Sequence, residues 1–307
     1  MARTATQPAI PIDYRSRPLP AYRSKPKIPW KQHLGTAVRY AALIALSALF
    51  VMPFLWMLGT SLTSADEVLN LDLPLFPSNF FWSNYRHALI DVGLPFSIFL
   101  KNTLLISLLA TFGQTFSAAC VAFAFARLKF PYRDGLFLLV LSTMMLPAQV
   151  TMIPQFMMFA KLGWVDTLKP LIVPAFFGGG AFFIFLLRQF FLTVPRELEE
   201  AARLDGCSTF GVFWYIMLPM SKPALTTVAL FAFIAHWNDF FGPLIYLSTK
   251  PELQTLAIGL QRFNGIHYRD PGLIQAGTLM TLIIPVVAFL LTQRFFTRGL
   301  VVTGVEK

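Results

Sequence analysis

The sequence predicts an all-α integral membrane protein with six transmembrane helices, and three observations carry that expectation. Of its 307 residues, 56% are hydrophobic and only 13% are charged, with a mean hydropathy of +0.61, well outside the makeup of an average soluble domain. Six apolar stretches reach the ~20 residues needed to cross a ~30 Å hydrocarbon layer. The basic residues, which leave a net charge of +10, sit beside the ends of those stretches rather than along one solvated face. They therefore point to membrane topology and away from a nucleic-acid partner.

Residues 1–37 form a basic, proline-rich tail containing RSRPLP and RSKPKIP, with too little apolar surface to offset the entropy of ordering. The first apolar run begins near Val38 and is too long for a signal-peptide core, so it reads as a retained anchor. The six spans are placed at roughly 38–60, 97–125, 135–160, 168–192, 223–247 and 273–296. In the second, Ala118, Ala122 and Ala126 recur every four residues, a stripe that suits either close approach of a neighbouring helix or an ordinary alanine-rich helix. The segment between the first two spans carries Trp82 and Tyr85, aromatic residues that suit short helices lying at a membrane interface.

With both termini in the cytoplasm, 18 of the 25 Lys and Arg fall on that side, as the retention of basic residues inside requires. The acids Asp66, Glu67, Asp72 and Asp91 fall in the first outer loop. Cys120 and Cys207 form no CxxC pair, and His33, His87, His236 and His267 form no HExxH array, so neither a disulfide framework nor a metal site is expected. No Gly-Lys dipeptide occurs, which removes the phosphate cradle of an ATPase.

The segment EEAARLDGCSTFGVFWYIMLP at 199–219 is the densest group of acids and small residues, and it lies between the fourth and fifth spans. Pro195 and the acids Glu197, Glu199 and Glu200 mark a helix start. Gly206 stops that helix, and a second begins near Ser208. Its Phe210, Phe213, Trp214 and Met217 are expected to form one apolar face, with Leu218 and Pro219 closing the element.

Glu200-Ala201-Ala202, Gly206 after three residues, then Ile216, Leu218 and Pro219 reproduce the EAA-x3-G-x9-I-x-L-P pattern of the membrane subunits of ABC importers. AFAFARLKFPYRD at 122–134, MMLPAQVTMIPQF at 144–156, HWNDFFGPLIYL at 236–247 and GLVVTGV at 299–305 resemble the carbohydrate-uptake branch of these permeases. The likeness runs from about 38 to 307 and is greatest to the six-span subunit of the maltose-type system. It implies a type I ABC importer transmembrane domain with cytoplasmic coupling helices in the segment 194–222. It also implies an ATPase-coupling role for Glu200, Ala201, Ala202, Arg203, Asp205, Gly206, Ile216, Leu218 and Pro219. The implied partners are a companion permease, two ATPase subunits that hold the ATP and Mg, and a periplasmic or lipid-anchored solute-binding protein, in the cytoplasmic membrane of a bacterium or archaeon. This chain itself then needs no cofactor.

Polar and flexible positions inside the spans mark the expected substrate path, because a lone charge there costs ~3 kcal/mol or more unless it meets water or a partner. Trp237, Asn238 and Asp239 fit a vestibule in which Trp237 stacks on a sugar ring; Asn238 and Asp239 fit interhelical hydrogen bonds equally well. Gln149 and Gln155 carry the same two readings. Gly178, Gly179 and Gly180, each costing about 1 kcal/mol in a helix interior, mark either an unwound hinge or a tight packing point. A sugar or oligosaccharide is the expected cargo; a polyol or glycerol phosphate on the same machinery, or a membrane scaffold that transports nothing, are the other readings.

Overall fold

The computed structural model describes residues 30–64, 67, 79–90, 95–261, 264–265 and 268–301. The tail before residue 30, most of the segment between the first two spans and the stretch from 302 onward lie outside them, and with them most of GLVVTGV. Cα proximity divides the chain at Pro53 into two units. The first holds the start of α1 (Trp30–Ser61); the second holds everything from Phe54.

The second unit is built around α3 (Phe96–Arg127), a helix of 32 residues. It packs against α7 (Ala181–Thr193) and α10 (Lys222–Trp237), and α10 packs in turn on α13 (Pro271–Val301). Ala118, Ala122 and Ala126 are all buried at the α3 seam together with Leu187 and Phe191 of α7 and Val228 of α10. The alanine stripe is thus a close-packing seam. Around this core many Leu, Ile and Phe side chains remain exposed, among them Leu138, Ile153 and Leu290, the outward greasiness that a hydrocarbon solvent requires.

Between the first two spans, α2 (Ser83–Ile90) is a short helix, as expected, with Trp82 exposed beside Tyr85. Asn84 Nδ2 donates to the carbonyls of Ser61 and Thr63 at 3.0 and 2.9 Å, fastening α2 to the end of α1. A two-residue antiparallel hairpin pairs Asn264 with Arg269 and Gly265 with Tyr268.

Among the described residues four helical stretches are long and apolar enough to cross a membrane, and up to six if each bent pair counts as one; α12 (Leu256–Gln261) is too short to count. Three of the expected spans are interrupted, one of them at the glycines where an unwinding was among the readings. The span placed at 135–160 is two helices, α4 (Arg133–Ser142, extended by a 3-10 turn through Met145) and α5 (Ala148–Lys161), which meet at 98°. Pro147 causes the break: it forces Leu146 to ψ 119, away from helix, and offers no N–H to continue the ladder. The span placed at 168–192 starts with α6 (Lys169–Ile172) and a 3-10 turn through Phe176, then unwinds at 177–180 before α7 begins. The span placed at 223–247 ends its helix at Trp237 and restarts as α11 (Phe241–Tyr246). Each interruption exposes backbone polar groups, tolerable at membrane depth only beside a cavity or protein.

Candidate functional site

Two regions concentrate the positions singled out above. The first is a helical hairpin made of α8 (Glu197–Leu204) and α9 (Thr209–Met220), the latter α-helical at both ends with a π-helical middle over Val212–Met217. Gly206 adopts φ +84, the left-handed conformation that favours glycine. The Gly206 N–H then donates to the Arg203 carbonyl at 3.0 Å, and the Cys207 N–H to that of Ala202 at 2.9 Å. This pair of bonds is a Schellman closure. It explains the spacing in physical terms, since the last alanine of Glu-Ala-Ala must lie four residues before the left-handed glycine. Ser208 then caps α9, its Oγ accepting the Gly211 N–H at 3.1 Å.

The faces of the hairpin differ from expectation in two ways. Phe213 and Met217 are buried and anchor α9 to the core, whereas Phe210 and Trp214 are exposed and stack on each other with centroids 6.2 Å apart. Leu218 and Pro219 do not close the helix, which runs on to Met220. Proline is acceptable there because it falls at the first turn of the next α-helical stretch. Outward on α8 stand Glu200, Ala201, Arg203 and Leu204, with Leu204 90% exposed. Asp205 and Gly206 are exposed at the turn, while Ala202 packs inward against the core and Ile216 and Leu218 are half-buried.

Glu199, which the motif does not include, turns inward and is buried. Its Oε1 lies 2.8 Å from Nε of Arg127 at the end of α3, both side chains being almost fully enclosed. The Arg127 guanidinium also donates to the carbonyls of Phe191 and Val194, the chain leaving α7. One cation therefore ties α3, α7 and α8 together. Arg188 reinforces the same corner, with Nε donating to Phe125 O at 3.4 Å and its guanidinium 4.2 Å over the Phe137 ring. Sequence reasoning counted Arg127 as one more topological charge. The signal it passed over was the helical period, which puts Glu199 and Ala202 on one face and Glu200 and Arg203 on another.

The second region is a cavity of about 430 Å³ where the interrupted spans meet α3. Gln114, Thr151, Gln155, Gly179, Gly180, His236, Asp239 and Tyr246 are among the residues that line it. The Nε2–H of His236 donates to Gln114 Oε1 at 2.7 Å; an amide oxygen only accepts, so this nitrogen carries the proton. Asp239 Oδ1 accepts the Gly242 N–H at 3.1 Å, and α11 crowds the carboxylate so closely that a Cβ on Gly242 would lie 2.4 Å from Oδ2. A neighbouring, more apolar cavity of about 360 Å³ shares Gln155, Phe177 and Tyr246 and adds Phe159 and Trp164, whose rings stack with centroids 5.5 Å apart.

The structure thus brings Gly179, Gly180, Gln155 and Asp239 together and leaves other expected path residues elsewhere. Trp237 is 5% exposed and packs with Phe96, Phe99, Phe233 and Leu256, so its ring is not available to stack on a sugar. The α-helical period turns it away from His236. Asn238 and Gln149 are exposed but do not line the cavity. Gly178, Gly179 and Gly180 take φ of 97, 62 and 78, a true unwinding. Gly179 is also a packing point, since a Cβ there would meet the Ala118 backbone at 2.4 Å. The two readings of the glycines coexist.

Bent and interrupted apolar helices around a polar cavity, with an amphipathic hairpin anchored to the same core, are the architecture of a membrane transport component. Residues 118–298 match the family described as binding-protein-dependent transport system inner membrane component. The chain belongs to that family and is a multi-pass membrane protein. The arabinooligosaccharides transport system permease protein of Halalkalibacterium halodurans is 32% identical over 286 residues, covering 92% of this chain and 99% of the relative. An sn-glycerol-3-phosphate transport system permease protein of Pectobacterium atrosepticum is 33% identical, covering 77% and 85%. A bacterial ABC transporter involved in importing the acidic polysaccharide alginate has the same fold, at a TM-score of 0.72 and 22% identity, covering 89% of this chain and all of that one.

Proposed function

We propose that this chain is one of two membrane-spanning subunits of an ATP-driven importer and passes a sugar or oligosaccharide inward by alternating access. The single observation that carries the coupling half of this reading is the hairpin. Its Schellman turn fixes an exposed surface of Glu200, Ala201, Arg203 and Leu204, and the buried Arg127–Glu199 pair roots that surface in the bundle. Such a surface fits the cleft of a separate ATPase subunit, which supplies ATP and Mg. Both termini then lie in the cytoplasm, the hairpin on the same side. The remaining partners are a companion permease, a second ATPase copy and a periplasmic or lipid-anchored solute-binding protein.

The cavity supports the cargo half. Its lining combines amide, hydroxyl, imidazole and carboxylate groups with aromatic rings, the mix that suits a ring bearing hydroxyls on its edges and C–H on its faces. A phosphorylated solute such as glycerol phosphate is less well served, for among the described residues no Lys or Arg lines either cavity. The test is ATP-driven uptake by the complex carrying Glu200→Lys or Gly206→Pro. Loss of uptake with the complex still embedded is expected, and unchanged uptake contradicts the coupling role.

A further inference from the structure

The larger cavity carries a statement about charge. Its lining holds one carboxylate, Asp239, with no Lys or Arg among the described residues that form it. Among the described residues Asp239 has no ion-pair partner, and its Oδ1 accepts the Gly242 N–H, a neutral donor that orients the carboxylate without cancelling its charge. His236 offsets it only as the imidazolium; its Nε2–H bond to Gln114 is open to both protonation states, and above the ordinary imidazole titration range the ring is neutral and leaves the carboxylate charge standing. Gln114, Thr151 and Gln155 supply dipoles and no charge. In a narrow site with low-dielectric walls one uncompensated charge sets the sign of the potential throughout.

Resting on the reading of this chain as an importer subunit, we propose that Asp239 makes the cavity an anion-excluding filter. It admits neutral or cationic polyhydroxylated solutes and repels phosphorylated or carboxylated ones. The chemistry is general: a carboxylate can accept hydrogen bonds from two neighbouring hydroxyls of a sugar or polyol, and it opposes any second anion brought close. The ring of Phe177, exposed and shared by both cavities, adds a face for the C–H side of such a ring.

The experiment reads the potential without needing the cargo's identity. In the full complex with its companion subunits, Cys120 and Cys207 are replaced by serine and Thr151, a cavity-lining position, is changed to cysteine. Reaction rates are measured with a trimethylammonium-ethyl and a sulfonatoethyl methanethiosulfonate, each normalised to a small free thiol. The cationic reagent is expected to react faster by about fivefold or more, given incomplete screening near a carboxylate. Asp239→Asn should bring the ratio close to one and Asp239→Glu should keep it, while a cysteine at Gln149, outside the cavity, stays indifferent to both. A ratio near one with Asp239 present overturns the proposal, with no Asp239 variant required, and so does failure of both reagents to reach the site. Because uptake is a separate readout, working ATP-driven uptake with a flat ratio removes the filter alone. A steep ratio in a complex that transports nothing removes the importer reading alone.

Discussion

Replacing Glu199 or Arg127 should reveal how the hairpin is rooted. In Glu199→Ala the guanidinium of Arg127 keeps its carbonyl acceptors on Phe191 and Val194 but loses its counter-charge in an enclosed site. Breaking a buried pair by removing one partner costs roughly 3–5 kcal/mol, and the retained acceptors place this variant near the lower end. Arg127→Ala should be worse, near 5 kcal/mol or above, because it strands the Glu199 carboxylate and leaves two carbonyls unsatisfied at the end of α7. The apolar double variant Arg127→Met with Glu199→Leu should recover most of the stability, since a well-packed hydrophobic pair often equals a buried ion pair. Thermal unfolding of the detergent-purified complex measures the ranking, and ATP-driven uptake is measured beside it. If the pair serves to transmit force, the double variant is stable yet poorly coupled, hydrolysing ATP with little uptake. Equal stability of the two single variants and the parent would refute the reasoning.

The other predictions concern close packing and turns. Gly179→Ala should cost about 3 kcal/mol or more, combining left-handed strain with collision on the Ala118 backbone; Gly178→Ala, which meets nothing within 4 Å, should cost only about 1–2 kcal/mol. Thermal midpoints of the two purified variants separate these cases. Gly206→Ala, also free of clashes, should lose about 1 kcal/mol, and Ser208→Ala a similar amount through its lost cap, both read as faster hydrogen exchange in the hairpin. Asn102 Nδ2 donates to the Glu252 and Gln254 carbonyls at 2.8 and 3.0 Å. Asn102→Leu should therefore loosen the segment 250–256 by about 2 kcal/mol, checked by its sensitivity to limited proteolysis.

How much of this was legible in the sequence depended on whether the signal was periodic or conformational. The apolar lengths of α3 and α13 placed those helices to within two and five residues at their ends, and that of α1 placed its end but not its start at Trp30, eight residues before Val38, because burial in lipid demands length and little else. The break at Gly206 and the start at Ser208 were equally readable, since caps have residue preferences of their own. The bend at Pro147 was visible as a residue type but not weighed against the apolar length around it, which is why 135–160 was placed as one span. Side-chain direction was the main loss. Trp237 and Asp239 are two residues apart at the end of α10, and only the helix's rotation against α3 decides that Asp239 meets the cavity while Trp237 joins the core. Arg127 and Glu199 lie on separate elements, and a pairing across that distance leaves no local pattern to read.

The central claim, that the α8–α9 hairpin is the seat of a separate ATPase, is tested most directly by photo-cross-linking from its outermost residue. A benzophenone amino acid at Leu204, which is 90% exposed, is activated in native membranes and the adduct identified by mass spectrometry. An adduct with an ATPase subunit, stronger in the presence of a non-hydrolysable ATP analogue, is the expected result. Adducts only with lipid, or only with other copies of this chain, would contradict it.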